Sequence, residues 1–179
     1  MHRSLPRAAL AASILAFAVS TAHAAGWTVE GRVVGVQDGD TVTVLDQAKA
    51  QHRIRLSGID APEKRQGFGE RSKQHLSDLV FQKPVEARCH KKDRYGREVC
   101  AVFVGQRDVG LEQIRAGLAW WYREYAHEQS PQDRLAYETE EDAARRERLG
   151  LWQDQAPVAP WDWRRRSGHR TSSGVMGEK

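Results

Sequence analysis

Apolar and polar residues alternate along much of the chain between Trp27 and Val104, which predicts β-strands there. The alternation appears in five runs, which begin at Trp27, Thr41, Arg53, Val85 and Glu98. Period-two alternation rich in β-branched residues is typical of antiparallel strands that bury one face. We therefore expect five strands, with a tight turn at Asp38-Gly39 between the first two.

Helical spacing appears between the third and fourth strands and again after the fifth. Gly67–Phe81 carries a modest apolar face, and Leu111, Ile114 and Leu118 recur at intervals of three and four. Ser130 can cap a third helix that continues to Arg148. Five strands and about three helices predict an α+β chain built on a five-stranded Greek-key barrel of the OB type.

The first 24 residues resemble a secretory leader. Arg3 and Arg7 precede an apolar run, Ala8–Ser20, which is too short to span a bilayer comfortably, and Ala22-His23-Ala24 offers a cleavage site. We expect residues 1–24 to be a signal peptide, although an uncleaved anchor helix is the alternative. The mature protein would be periplasmic or secreted, without a membrane segment.

The amino-acid composition is that of a chain that can bury a hydrophobic core. Of its 179 residues, 40% are hydrophobic and 29% are charged, so wholesale disorder is excluded. The net charge is +4, and loss of Arg3 and Arg7 with the leader leaves +2, so attraction to a polyanion depends on local clustering. We expect a folded domain over residues 25–153, a basic, flexible tail over residues 154–179, and a monomer.

The two cysteines, Cys89 and Cys100, lie symmetrically about Arg94 and Tyr95. A hairpin that turns there would place them opposite each other on two strands. Export favours oxidation, which makes a disulfide the expected state, and two buried thiols are the alternative.

Three short clusters carry chemistry: Asp38–Thr41, Arg55–Glu63 and Asp93–Arg97. Each alone is compatible with an ordinary turn, strand end or hairpin tip. Together, Asp40, Asp60 and the carbonyl of Ala61 offer the oxygen ligands that a hard cation such as Ca²⁺ prefers. The set has no His or Cys ligand pattern, which argues against zinc.

Arginines and a glutamate in the same clusters suit phosphodiester cleavage. The Arg55 and Arg97 guanidiniums can each hold two phosphate oxygens and remain charged at ordinary pH. Glu63 is a candidate general base for an attacking water.

The combination of clusters resembles the staphylococcal nuclease family over about residues 29–152. The motifs that carry the resemblance are Asp38-Gly39-Asp40-Thr41-Val42, Arg55-Leu56, Asp60-Ala61-Pro62-Glu63, Asp93-Arg94-Tyr95-Gly96-Arg97, Gly117-Leu118-Ala119 and Leu149-Gly150-Leu151-Trp152.

The resemblance implies roles for these residues. Ca²⁺ is bound by the side chains of Asp40 and Asp60 and by the Ala61 carbonyl; Glu63 activates water; Arg55 and Arg97 hold the scissile phosphate. The implied activity is cleavage of DNA and RNA that leaves 3′-phosphate ends.

Substrate contacts are expected at the edge of this site. Tyr95 and Tyr125 match family positions that stack on a base or contact phosphate, and Arg94 lies beside Tyr95 in the basic hairpin tip. The sequence is also compatible with two other functions. One is a nucleic-acid-binding OB module without catalysis, and the other is an envelope interaction protein that uses the aromatic and basic tail.

Overall fold

This computed structural model of the protein describes residues 26–173. The signal peptide predicted over residues 1–24 lies outside the described residues, and so do the last six residues of the predicted tail, 174–179. Among the described helices, none is long and apolar enough to cross a bilayer. The described elements in chain order are β1 (Trp27–Val36), β2 (Thr41–Asp46), β3 (Gln51–Leu56), β4 (Ile59–Asp60), α1 (Gly69–Val80), β5 (Pro84–Lys92), β6 (Glu98–Val104), β7 (Arg107–Asp108), α2 (Val109–Arg115), β8 (Trp120–Trp121), a 3₁₀ turn (Arg123–Glu128), α3 (Pro131–Arg146), a second 3₁₀ turn (Gly150–Gln153) and α4 (Pro160–Ser173).

Five of the strands close into a barrel. Strand β1 pairs antiparallel with β2 and β5, β2 pairs with β3, and β5 pairs with β6. Strands β3 and β6 pair in parallel, and this pairing closes the barrel. The predicted α+β fold with a five-stranded OB barrel is confirmed. The parallel pairing was not expected, because alternation along one strand does not reveal which neighbour it meets.

The barrel interior holds the apolar residues of each alternating strand. Val33, Val42, Val44, Ile54 and Leu56 are almost completely buried. Helix α1 adds Leu76 and Val80, and helix α2 adds Ile114 to the same core. This burial fixes the register of β2 and β3, because a slip of one residue would turn their apolar side chains outward.

The predicted helices correspond to α1, α2 and α3. Ser130 caps α3 by accepting a hydrogen bond from the Asp133 amide, with Pro131 in the first turn. Helix α2 ends at Arg115, earlier than the apolar spacing suggests, because Gly117 adopts φ +64°. Gly150 (φ +51°) then packs so tightly on Gly117 that a Cβ on Gly150 would lie 2.1 Å from the Gly117 carbonyl oxygen. These two glycines therefore join the end of α2 to the second 3₁₀ turn.

Cys89 and Cys100 are opposite each other in the β5–β6 hairpin and form a disulfide. This is the pairing that the sequence predicted. The pairing of β5 with β6 shifts register between Cys89 and Lys91. The disulfide fixes the base of the hairpin whose tip carries the Asp93–Arg97 cluster.

His52 lies on the outer surface of the barrel between two carboxylates. Its ring nitrogens are each 3.1 Å from an oxygen, Nε2 from Asp46 and Nδ1 from Glu98. The hydrogen bond with Asp46, aided by Glu98, raises the pKa of His52 above 6.5, although burial opposes the shift.

Part of the segment predicted to be a flexible tail, residues 154–179, forms helix α4. Ala159 and Pro160 are buried, and Trp161 stacks flat on Tyr122, with ring centroids 5.2 Å apart and planes 4° apart. Such an aromatic contact between distant segments leaves no periodic pattern in the sequence. Helix α4 is therefore held against the domain at its first turn.

Candidate active site

Asp40 and Asp60 reach the same edge of the barrel from two different strand ends. Asp40 immediately precedes β2, and Asp60 ends β4, whose partner strand β8 places Trp120 opposite Asp60. The Ala61 amide donates to Asp40 Oδ2 at 3.1 Å, and the Leu56 amide donates to the Asp40 carbonyl oxygen. Both carboxylates are buried, Asp60 at 1% exposure.

Arg55 lies between the two carboxylates. Its Nη2 is 2.9 Å from Asp60 Oδ1 and 3.6 Å from Asp40 Oδ2. Burial lowers the pKa of Arg55, but the neighbouring charges of Asp40 and Asp60 outweigh burial and raise it. Burial raises the pKa of Asp60, and its arginine partners oppose this rise only in part. The site is therefore an acidic pair that depends on nearby positive charge.

Glu63 lies on the tight turn that follows Ala61 and Pro62. The Glu63 amide donates to Gln66 Oε1, and the Gln66 amide donates to the Glu63 carbonyl oxygen. A Cβ on Gly69 would lie 2.1 Å from that same carbonyl oxygen, so α1 begins directly against the turn. The Glu63 side chain is 40% exposed and faces the cavity, where it can meet water.

Arg97 approaches the acidic pair from the β5–β6 hairpin. Its Nε lies 2.7 Å from Asp93 Oδ2, and its Nη1 donates to Thr41 Oγ1 at 3.3 Å. The Thr41 hydroxyl in turn donates to Asp40 Oδ1. Burial raises the pKa of Asp93, but its hydrogen bonds with Arg97 lower the pKa by a larger amount. The net shift of the Asp93 pKa is therefore downward. The ionised Asp93 holds the Arg97 guanidinium at the mouth of the site.

All nine residues predicted for the cation, the catalytic groups and the substrate line one cavity of about 720 Å³. The exposed Tyr95 ring lies at the rim, with the Arg94 guanidinium 4.8 Å from its centroid. Tyr125 lies elsewhere on the cavity wall, where Lys91 Nζ is 4.6 Å from the ring centroid. The structure thus brings together the residues that the sequence named at separated positions.

Among the other residues that line the cavity are Asp38, Tyr122 and Arg164, which were not assigned roles from the sequence. Burial and the charge of Asp40 raise the pKa of Asp38 to about 6. Burial and the charge of Asp60 raise the pKa of Tyr122 to about 12. Asp38 was visible in the first cluster but was interpreted as a turn residue, and Tyr122 belongs to an aromatic run that also suits packing.

Arg164 reaches the site from α4. Its Nη2 donates to Asp60 Oδ2 at 2.7 Å, and its Nη1 donates to Glu63 Oε1 at 2.7 Å. A weaker contact joins Nη1 to Asp60 Oδ1 at 3.3 Å. Arg164 is separated from Asp60 by 104 positions, and the surrounding basic run gave no signal of such a contact.

The donor chemistry of the site fits a hard divalent cation. Asp40 and Asp60 supply carboxylate oxygens, and the carbonyl of Ala61, next to Asp60 in the chain, would be a third oxygen donor. Within the described residues, no group of three or more His, Cys, Asp or Glu side chains is arranged to hold a metal alone. The remaining ligands of a cation here would therefore be carbonyl, water or phosphate oxygens.

Comparison with known proteins agrees with this geometry. The family described as staphylococcal nuclease homologue matches residues 53–154. This chain belongs to the staphylococcal nuclease family, and it is a nuclease. Nucleases of this family are generally metal-dependent. The matched residues include Arg55, Asp60, Glu63 and Arg97, whereas Arg164 lies beyond them.

Individual relatives extend the similarity beyond the matched region. The nuclease is 42% identical over 134 residues to an uncharacterized endonuclease of Haemophilus influenzae, covering 75% of this chain and 72% of the relative. It is 41% identical over 151 residues to the micrococcal nuclease of Shigella flexneri, covering 79% and 84%. It is 40% identical over 169 residues to Protein ParB of Escherichia coli, covering 89% and 93%.

Proposed function

We propose that the nuclease is an exported, Ca²⁺-dependent enzyme that hydrolyses phosphodiester bonds of DNA and RNA and leaves 3′-phosphate ends. The observation that carries this proposal is the convergence of Asp40, Asp60 and Arg55 at one cavity edge, with Glu63 and Arg97 on its walls. Asp40, Asp60 and the Ala61 carbonyl would hold the cation. When bound, Ca²⁺ supplies positive charge that offsets the negative charge on the reacting phosphate.

Glu63 would act as the general base. In the reaction a water oxygen forms a bond to phosphorus, and the bond from phosphorus to the 5′ oxygen breaks. Glu63 takes a proton from the attacking water, and the 5′ oxygen takes a proton from solvent as it leaves. Its partial exposure and position in the cavity support this role, because a general base must reach the water that it activates.

Arg55 and Arg97 would bind the phosphate undergoing cleavage. Arg55 is fixed by two buried carboxylates, and Arg97 is fixed by Asp93, so neither guanidinium needs reorganisation to meet an anion. Preorganised donors stabilise the charge that develops in the transition state, and loss of one such donor costs about 3 kcal/mol in other enzymes.

Tyr95, Arg94 and Tyr125 would bind the rest of the substrate at the cavity rim. Aromatic rings with adjacent cations suit stacking on unpaired bases, worth about 1–3 kcal/mol per base. Lys91 and Lys92 also line the cavity and would add phosphate contacts. Such contacts read no base edges, which favours cleavage with little sequence specificity.

Export is supported by the Cys89–Cys100 disulfide together with the predicted leader, since disulfides persist in oxidising compartments. The periplasm and the extracellular medium are both consistent with it. Free Ca²⁺ outside the cytoplasm would load the site, and export would keep an indiscriminate nuclease from the genome of its own cell. We propose that the enzyme acts as a monomer.

The deciding experiment measures cleavage of matched DNA and RNA substrates with Ca²⁺ or with a chelator. Activity should require Ca²⁺, and Glu63→Gln should reduce the rate by orders of magnitude while the thermal melt stays unchanged. The exposed Glu138 provides a matched control, because Glu138→Gln should cleave at the wild-type rate. Wild-type activity in Glu63→Gln would contradict the general-base assignment.

Two further measurements test the remaining parts of the proposal. Arg97→Ala should lower the rate about as strongly as Glu63→Gln, whereas Arg107→Ala, an exposed change in β7, should not. The products should resist extension by a polymerase until a phosphatase removes the 3′-phosphate. Binding without cleavage under every cation would favour the non-catalytic OB module instead.

A further inference from the structure

Helix α4 is anchored on residues that also build the active site. Trp161 stacks on Tyr122, which lines the catalytic cavity, and meets the Trp120 ring edge-on at 5.7 Å. The Val158 carbonyl, just before the helix, accepts a hydrogen bond from Gln66 Nε2. Gln66 is the residue whose side chain supports the Glu63 turn. The first turn of α4 is therefore placed by the site itself.

This placement directs Arg164 onto the two carboxylates that matter most for catalysis. Its guanidinium spans Asp60 and Glu63, with a 2.7 Å contact to an oxygen of each. Burial lowers the pKa of Arg164, but its hydrogen bonds with Asp60 and Glu63 raise it more strongly. Arg164 therefore stays charged at this position.

Two arginines contact the carboxylate of Asp60, and Arg164 reaches both of its oxygens, Oδ1 only at 3.3 Å. Arg55 contacts Oδ1 at 2.9 Å, and Arg164 contacts Oδ2 at 2.7 Å. Arg55 alone would leave Oδ2 open, whereas Arg164 covers it. A calcium ion must approach a carboxylate oxygen to about 2.3–2.6 Å, which places it beside any guanidinium on the same oxygen.

A guanidinium and a divalent cation repel each other at such a distance, particularly beside a buried carboxylate where water screens charge poorly. The same Arg164 contact also engages Glu63, which would otherwise be available to activate water. Cation loading and the Arg164 contact are thus alternatives at one carboxylate.

We propose that α4 is an autoinhibitory element in which Arg164 occupies the cation position on Asp60, so that cation binding requires Arg164 to withdraw. This inference rests on the proposed cation site at Asp40 and Asp60. Residues 153–156, which begin the connection between the second 3₁₀ turn and α4, are exposed to solvent.

The test compares Ca²⁺ binding by calorimetry in the full chain without substrate. Arg164→Gln should bind Ca²⁺ about 5- to 150-fold more tightly than the wild type, the usual range for coupled sites. Arg165→Gln removes the same charge one position along, from a residue paired with Asp162, and should keep the wild-type affinity. This control separates the specific contact from a general loss of positive charge.

The reciprocal measurement follows α4 itself. By linkage, Ca²⁺ that displaces Arg164 must also weaken the docking of α4. Hydrogen exchange of the amides in residues 161–167 should therefore accelerate when Ca²⁺ saturates the wild type. In Arg164→Gln the exchange should already be fast without Ca²⁺.

The outcomes distinguish this inference from the function on which it rests. Equal or weaker Ca²⁺ affinity in Arg164→Gln, with binding intact in the wild type, would overturn the inference and leave the cation site standing. Absence of Ca²⁺ binding in both proteins would overturn the cation site and the inference together. Weaker binding of a non-cleavable phosphorothioate oligonucleotide by Arg164→Gln, with unchanged Ca²⁺ affinity, would identify Arg164 as a substrate contact and refute autoinhibition.

Discussion

Gln113 provides a strong test of how the fold positions Asp40. Its side chain is completely buried, and its Nε2 donates to the Gly39 carbonyl oxygen at 2.7 Å and to the Ser72 carbonyl oxygen at 3.0 Å. Its Oε1 lies against His75 Nδ1. Gln113 thereby connects α2, α1 and the turn that carries Asp40, although it belongs to none of the predicted chemical clusters.

Substitution of Gln113 by Leu keeps the volume but removes the donor. The Gly39 carbonyl would then be buried without a partner, which costs about 1–3 kcal/mol. The Ser72 carbonyl lies inside α1, where the helix supplies another donor, so its loss is smaller. Together with the loss of the His75 contact, these losses should lower the free energy of unfolding by about 2–4 kcal/mol in total.

Urea unfolding in chelator measures this effect directly, and calorimetry measures its consequence for Ca²⁺. Gly39 directly precedes Asp40 in the chain, so the loss of the Gln113 hydrogen bond to Gly39 should disturb the position of Asp40. We therefore expect Ca²⁺ affinity to fall about 10- to 100-fold, as for other residues that orient metal ligands. Gln106→Ala, at an exposed turn, is the control and should stay within about 0.5 kcal/mol of the wild type. A Gln113→Leu protein as stable as that control would refute the reasoning.

Three further predictions concern stability. Replacement of Cys89 and Cys100 by Ala removes a crosslink between residues separated by 11 positions and should cost about 3 kcal/mol by urea unfolding. His52→Gln should lower the free energy of unfolding by about 0.5–1 kcal/mol near pH 5.5 and by little near pH 9. The His52 contribution is complete below the unfolded pKa of 6.5 and is lost as pH rises through the raised folded pKa, which a pH series of melts would show. Gly150→Ala should lower the melting temperature, because its Cβ would clash with the Gly117 carbonyl at a positive φ.

Each of these has an outcome that would contradict it. An oxidised and a reduced wild type with equal urea midpoints would show that the crosslink contributes no stability. An effect of His52→Gln that grows with pH would reverse the assigned sign. The exposed Gly67 is the control for Gly150, since no atom lies within 4 Å of a Cβ built there, and equal losses at the two positions would exclude the proposed clash.

The barrel could be predicted because burial acts residue by residue along each strand. Val44 is completely buried while Thr43 and Leu45 on either side are only partly buried, and such differences produce the alternation that the sequence displays. Strands β4 and β8 escaped prediction because two residues cannot show a period. They form because the chain on either side brings Ile59 opposite Trp121.

The residues of the candidate site also differ in whether local sequence signals could predict them. Asp40, Asp60 and Arg97 lie at strand ends or a hairpin tip, so local signals placed them near barrel edges before any contact was known. Gln113 and Arg164 act through partners 38 to 104 positions away, and neither lies in a motif. Their roles depend on three-dimensional packing, which a single sequence does not display.

Charge balance explains why a nuclease of this kind would carry Arg164. Two carboxylates buried at the barrel edge are costly without nearby positive charge, and Arg55 alone must serve both. A cation would complete the balance, but only where it is abundant. The Arg164 guanidinium on α4 would supply the missing charge until the cation arrives, and because it also engages Glu63, the form without cation would have its general base occupied. Stability without the cation and restraint of catalysis would then follow from one contact.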